Sequence, residues 1–161
     1  MNSMKKYVWI RIVPVLVVLA FIWGNSMLSA EASTVASNAV GSLLSHIFTA
    51  VQAALRRLGF DLPYETVVRK TAHLTEYAVL GFLTGWAFLR DGFHLRLKLS
   101  APLCAAAAII DECIQRFSSG RAPRVTDVLI DWTGAALGLA VTALVCYLVR
   151  RHRKTKTSGD T

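Results

Sequence analysis

Four apolar stretches long enough to cross a bilayer constrain this chain more than any other feature. They cover about 7–24, 68–89, 97–117 and 128–149, and a transmembrane helix needs about 17–25 mostly apolar residues. Of the 161 residues, 54% are hydrophobic and only 17% are charged, against about 25% charged in soluble domains. The sequence therefore predicts an all-α protein, a single membrane domain over 1–161 that folds as a four-helix transmembrane bundle.

Two segments before the second span can each be interpreted in two ways. The first apolar stretch follows two lysines and precedes a passable signal-peptidase site at 30–32, so a cleaved signal peptide is an alternative. The length of the apolar stretch favours an uncleaved first span. Over about 29–58 the apolar residues recur at the helical period, and Gly59 and Pro63 follow. This predicts an amphipathic helix on the outer membrane surface, or a lid packed over the other helices.

The basic residues indicate the orientation of the chain. The net charge is +8, but lysine and arginine gather beside the apolar stretches, at 5–6, 90–98 and in the tail 150–161. Cytoplasmic loops are enriched in these residues, so both termini are predicted to be cytoplasmic and nucleic acid is not expected as a partner. The three cysteines lack metal or redox spacing and are expected to be free thiols.

Small residues recur at a spacing of four in two of the spans. Gly81 and Gly85 lie in the second span, and Gly134 and Gly138 lie in the fourth. Such pairs let helix backbones approach closely. We interpret them as packing within one chain rather than as a dimer signal, and the oligomeric state is left open.

Ionisable residues interrupt the last three spans, although each costs about 2.5–3.5 kcal/mol at the centre of a membrane helix. At about 100° per residue, the polar side chains of each span fall on one face. We expect the three faces to meet in the outer half of the membrane, with loop arginines at the mouth. The residues are Arg69, His73 and Glu76 on the second span, Asp111, Glu112 and Gln115 on the third, Asp127 and Asp131 on the fourth, and Arg121 and Arg124 in the loop between.

Two segments, RKTAHLTEYAVLGFL at 69–83 and DECIQRFSSGRAPRVTDVLIDWTGAALG at 111–138, resemble the VanZ-like family of small membrane proteins. The similarity in pattern covers about 7–149 and is most specific in the last three spans. It implies a role at the cell envelope, since the founding member is associated with low-level teicoplanin resistance. Asp131 departs from the pattern, because asparagine is expected there. The family's polar positions fall on Lys70, His73, Glu76, Tyr77, Asp111, Glu112, Gln115, Arg121 and Asp127.

The preferred hypothesis is a binding function. A pocket with acids below and arginines at its mouth suits an anionic lipid headgroup or a lipid-linked cell-wall intermediate, because arginine recognises phosphate and carboxylate bidentately. Binding of this kind would change susceptibility to teicoplanin-type glycopeptides. The expected partners are membrane lipids or lipid-linked intermediates.

Three alternatives stay open. His73, Glu76 and Glu112 are catalytic candidates for acid–base or metal-assisted chemistry on a lipid-linked substrate, although no metal motif is present and no cofactor is identified. Proton or ion passage is weaker, since the polar residues stop in the outer half. The polar residues can also serve helix register alone, through salt bridges such as Arg69 with Asp127 or His73 with Glu112.

Overall fold

The structure is a computed structural model, which describes residues 2–28, 42, 45–90, 94–118 and 124–158. Apart from short turns and connections, these residues are helical except for one short antiparallel hairpin, in which Leu89 pairs with Leu95 and Arg90 pairs with His94. The all-α prediction is confirmed. The elements are α1 (Asn2–Ser26), α2 (Ser45–Arg57), α3 (Tyr64–Ala87), β1 (Leu89–Arg90), β2 (His94–Leu95), α4 (Leu97–Gln115) and α5 (Val125–Ser158).

Among the described residues, two helices are long and apolar enough to cross a membrane. They are Trp9–Ser26 in α1 and Val125–Arg153 in α5. Helices α3 and α4 occupy the places of the second and third predicted spans, but the ionisable residues within them lower their hydropathy. Helix α5 continues to Ser158, into the predicted tail, because lysine and arginine are good helix formers.

Helix α2 lies in the second half of the segment predicted to form an external helix. The ring of Phe48, which is buried, meets the ring of Tyr64 edge to face at 6.4 Å between centroids. Gly59 ends the helical segment as predicted, with a φ of 86° that only glycine adopts freely. Residues 29–41, including the suspected cleavage site, lie outside the described residues, and the position of α2 on a membrane surface stays a prediction.

Helices α3 and α5 run parallel and pack through the four glycines. A Cβ atom on Gly81 would meet the backbone of Ala135, and one on Gly138 would lie 2.6 Å from the amide nitrogen of Phe82. Gly85 lies against the side chain of Thr142. Because all these contacts are made within one chain, they agree with the interpretation of the glycine pairs as intramolecular packing.

Polar contacts define the two ends of the bundle. At the hairpin end, which holds β1 and β2, Nη1 of Arg11 donates to the carbonyl of Leu89 at 3.2 Å. At the polar end, the hydroxyl of Ser118 donates to the carbonyl of Ser26 at 2.7 Å. Helices α1 and α4 therefore run towards the polar end, and α3 and α5 run away from it. The described ends of the chain both lie at the hairpin end.

Candidate functional site

The polar end brings together ionisable side chains from three helices. Nδ1 of His73, on α3, lies 3.4 Å from Oδ1 of Asp131 on α5 and 3.9 Å from Oδ2 of Asp111 on α4. The two carboxylate side chains are 1% and 0% exposed, respectively. We call these three residues the His–Asp cluster. Its members were all predicted from the positions of polar residues on the helix faces.

The cluster contains several polar atoms that lack a hydrogen-bond partner among the described residues. They are Nδ1 of His73, Oδ1 of Asp111 and both carboxylate oxygens of Asp131. One oxygen of Glu112 is in the same state. Buried polar groups are normally paired, and an unpaired one costs about 1–3 kcal/mol or more when charged. The cluster therefore has the capacity to bind a cation or to exchange protons.

The last turn of α1 closes the polar end from a side that the sequence analysis missed. Nε2 of Gln115 donates to Oδ2 of Asp111 at 2.9 Å and lies 3.4 Å from the hydroxyl of Ser26. Nδ2 of Asn25 donates to Oε1 of Glu76 at 3.3 Å. The signal in the sequence is the pair of polar residues that directly follows the first apolar stretch, where the helix continues for two more residues.

The two salt bridges given as examples from the sequence, Arg69 with Asp127 and His73 with Glu112, are wrong. Asp127 pairs with Lys70, at 2.5 Å between Nζ and Oδ1, rather than with Arg69. Lys70 and His73 are three residues apart and share a helix face, and this is the face that α3 turns towards α5. Glu112 instead accepts a hydrogen bond from the backbone N–H of Arg124, so its partner is the residue directly before α5 and not His73.

The remaining predicted site residues have different environments. Tyr77 is fully buried in the core and its hydroxyl donates to the carbonyl of Ala107 at 3.2 Å, below the His–Asp cluster. Arg121 lies outside the described residues. Glu76 faces α1, where it accepts the hydrogen bond from Asn25. The structure thus gathers the polar residues at one end of the bundle, but it places Tyr77 in the packing of the helices.

A small cavity opens beside the His–Asp cluster. Its volume of about 10 Å³ is about the space that one water-sized molecule requires. A lipid headgroup does not fit inside it. The cavity is lined by Arg69, Lys70, His73, Gln115, Asp127, Ile130 and Asp131.

An apolar groove of about 280 Å³ lies between α1, α3 and α4. It extends from Ile12, near the hairpin end, to Trp23 and Ile110, near the polar end. Its lining is almost entirely hydrocarbon, and its volume is close to the lower limit of about 300 Å³ for ligand pockets. The groove is apolar and the end of the bundle beside it is polar, as a lipid has an apolar chain and a polar headgroup.

A family model described as VanZ/LLP1 matches residues 11–148. No curated protein and no solved structure matched the chain. The matched range contains the His–Asp cluster, the four glycines of the α3–α5 contact and the last turn of α1. Because the match covers far more than half of the 161 residues, the chain belongs to the VanZ/LLP1 family.

Proposed function

We propose that this protein crosses the cell membrane four times, with both termini in the cytoplasm, and binds an anionic lipid headgroup or a lipid-linked cell-wall intermediate at its polar end. Membership of the VanZ/LLP1 family indicates a membrane protein linked to glycopeptide resistance. Binding at the polar end would alter how glycopeptides of the teicoplanin type reach their target.

The apolar outer surfaces of α3 and α4 support a four-span arrangement. Phe82 on α3 and Leu103, Ile109 and Ile110 on α4 are exposed, while Asp111 and Glu112 of α4 are buried. Exposed apolar side chains on helices of this length match the hydrocarbon of a bilayer.

Thiol labelling tests this topology. We expect Glu65→Cys, at the polar end, to react with a membrane-impermeant maleimide on intact spheroplasts. Lys98→Cys, at the hairpin end, should react only after the membrane is permeabilised. Both positions are exposed, and both variants are made in a Cys113→Ser background because Cys113 is the exposed native thiol among the described residues. The reverse labelling pattern would contradict the proposed orientation.

The observation that carries the binding proposal is a buried group of acids beneath a basic rim. Arg69 lies beside the cavity, and Arg124 is exposed where the chain enters α5. Because the cavity holds only about 10 Å³, the headgroup would lie on the rim and not inside the cluster. An acyl chain of the same lipid would lie in the apolar groove, which reaches the polar end at Trp23.

Native mass spectrometry of the protein from detergent, with phosphatidylglycerol as anionic lipid and phosphatidylcholine as neutral reference, tests this binding. We expect wild type to retain phosphatidylglycerol preferentially and Arg69→Gln/Arg124→Gln to lose that preference. Hydrogen bonds to charged groups contribute about 1.5–3 kcal/mol each, so affinity should fall at least about tenfold. The matched control is Arg57→Gln, on the exposed end of α2. Equal retention by all three proteins would refute the proposal.

A second candidate function is acid–base catalysis on a lipid-linked substrate. The specific observation in its favour is the imidazole of His73 between the carboxylates of Asp111 and Asp131, since such groups transfer protons when a substrate is within hydrogen-bond reach. In this case His73→Gln would abolish turnover of a lipid-linked diphosphate substrate while phosphatidylglycerol retention persists. Absence of turnover by wild type would leave binding alone.

A further inference from the structure

We propose that the His–Asp cluster binds a divalent transition-metal ion, such as Zn²⁺ or Mn²⁺. The ligands would be Nδ1 of His73 and one carboxylate oxygen each from Asp111 and Asp131. This inference goes beyond headgroup binding on the basic rim and does not depend on it. It rests on the positions, burial and charge of three side chains from three different helices.

The positions of the ligand atoms fit a metal ion with little adjustment. One ligand atom from each residue lies within 4.8 Å of the other two. Zinc bonds to nitrogen and oxygen are about 2.0–2.2 Å long, so two ligand atoms of a tetrahedral site lie about 3.3–3.6 Å apart. The widest separation in the cluster must therefore shrink by up to about 1.5 Å. Rotation of a carboxylate or of the imidazole supplies a movement of this size.

Charge and burial independently indicate a cation. Asp131 has two carboxylate oxygens without a hydrogen-bond partner among the described residues, and its side chain is 1% exposed. Oδ1 of Asp111 is also unpartnered, and that side chain is 0% exposed. Lys70 does not neutralise them, because it forms its salt bridge with Asp127. An ion of charge +2 would balance the two carboxylates and leave a neutral imidazole as the third ligand.

The surroundings of Asp111 resemble the outer shell of a metal site. Gln115 donates to Oδ2 of Asp111 at 2.9 Å, which holds the carboxylate and leaves Oδ1 for an ion. Partners of this kind orient the residues that bind metals. One imidazole and two carboxylates suit zinc, manganese or ferrous iron, whereas soft ions such as Cu⁺ prefer sulfur. Three protein ligands leave a coordination position for water or a substrate oxygen.

The test uses the full chain, purified in detergent, stripped with a chelator and then dialysed against Zn²⁺ or Mn²⁺. We expect elemental analysis to find about one ion per wild-type chain. Asp131→Asn and His73→Gln should bind the ion at least about tenfold more weakly. Gln115→Ala, which removes the contact that orients Asp111, should weaken binding by about 10–100-fold. Glu65→Gln is the matched control: it is an exposed acid on the same helix as His73, and its metal content should equal that of wild type.

Two results would overturn the inference. One is stripped wild type that takes up neither Zn²⁺ nor Mn²⁺. The other is folded Asp131→Asn and His73→Gln protein that takes up as much metal as wild type. Should these variants not fold, pulsed EPR of Mn²⁺ bound to wild type decides, because a histidine ligand gives a nitrogen coupling and its absence contradicts the site. Phosphatidylglycerol retention is measured on the same samples, so failure of metal binding is distinguished from failure of headgroup binding.

Discussion

Gly134→Ala is a small change that should separate α3 from α5 in the layer of the His–Asp cluster. Gly134 follows Asp131 by three residues, and its α-carbon faces the backbone of Leu74, the residue after His73. A Cβ atom there would lie 3.1 Å from the carbonyl carbon of Leu74 and 3.2 Å from its Cα, with the carbonyl oxygen closer still. These are backbone atoms of a helix, so a side-chain rotation cannot relieve the overlap.

The size of the effect follows from these distances. Carbon atoms pack best at about 3.5–4.0 Å, so α5 must move away from α3 locally by several tenths of an ångström to about 1 Å. The distance between Nδ1 of His73 and Oδ1 of Asp131, now 3.4 Å, would widen by a similar amount. Overpacking of this kind costs about 1–3 kcal/mol. Metal binding by the cluster would weaken as well, because the ligand atoms would lie too far apart for one ion.

Thermal unfolding in detergent, followed by tryptophan fluorescence, measures the loss of stability. For a chain of about 150–250 residues, 1 kcal/mol corresponds to about 2–4 °C in Tm. The matched control is Gly24→Ala on α1, where a Cβ atom would meet nothing within 4 Å. We expect that control to unfold at or slightly above the temperature of wild type, because alanine favours a helix more than glycine does. Equal Tm values for Gly134→Ala and Gly24→Ala would refute the described α3–α5 contact.

Three further predictions concern single contacts. Lys70→Met should lower the free energy of unfolding by about 1–3 kcal/mol because it leaves the half-buried Asp127 unpaired; a double-mutant cycle with Asp127→Leu should show coupling of at least about 0.5 kcal/mol. Tyr77→Phe removes the hydrogen bond to the carbonyl of Ala107 and should cost about 0.5–1.5 kcal/mol in denaturant-dependent unfolding. Cys113 should be the one native thiol that reacts with a maleimide in the folded protein, because the other two are buried; mass spectrometry counts the labels, and denaturation should raise their number to three.

The helix faces that turn towards the interior were predictable from the sequence, because ionisable residues inside apolar helices must avoid lipid. The spacing of His73 on the second predicted span and of Asp111 on the third therefore sufficed to expect that they meet. The choice of partners was not predictable in this way. Whether Asp127 pairs with Lys70 or Arg69 depends on a rotation of α3 by about 100°, and the contact of Gly134 with the α3 backbone fixes that rotation.

Helix ends were less predictable than helix faces. The apolar criterion ends the first span at about residue 24, yet α1 continues to Ser26 and places Asn25 beside Glu76. The same criterion ends the fourth span at about residue 149, although α5 reaches Ser158. Hydropathy reports where the hydrocarbon ends, whereas backbone hydrogen bonds continue wherever residues with good helix propensity follow. The missed residues at the polar end are a consequence of this difference.

The close contact between Gly134 and the α3 backbone also brings the ionisable side chains of the His–Asp cluster together in the interior. Lipid tails are as apolar as the helix surfaces, so membrane helices associate through close packing and polar contacts rather than through a hydrophobic difference. Gly134 allows the close packing, and the same approach forces Asp131 to within 3.4 Å of His73. A larger residue at 134 would separate the charges but would also weaken the packing. A loss of stability on mutation of the cluster therefore does not distinguish a structural role from a binding role, whereas the metal content and lipid retention of folded variants do.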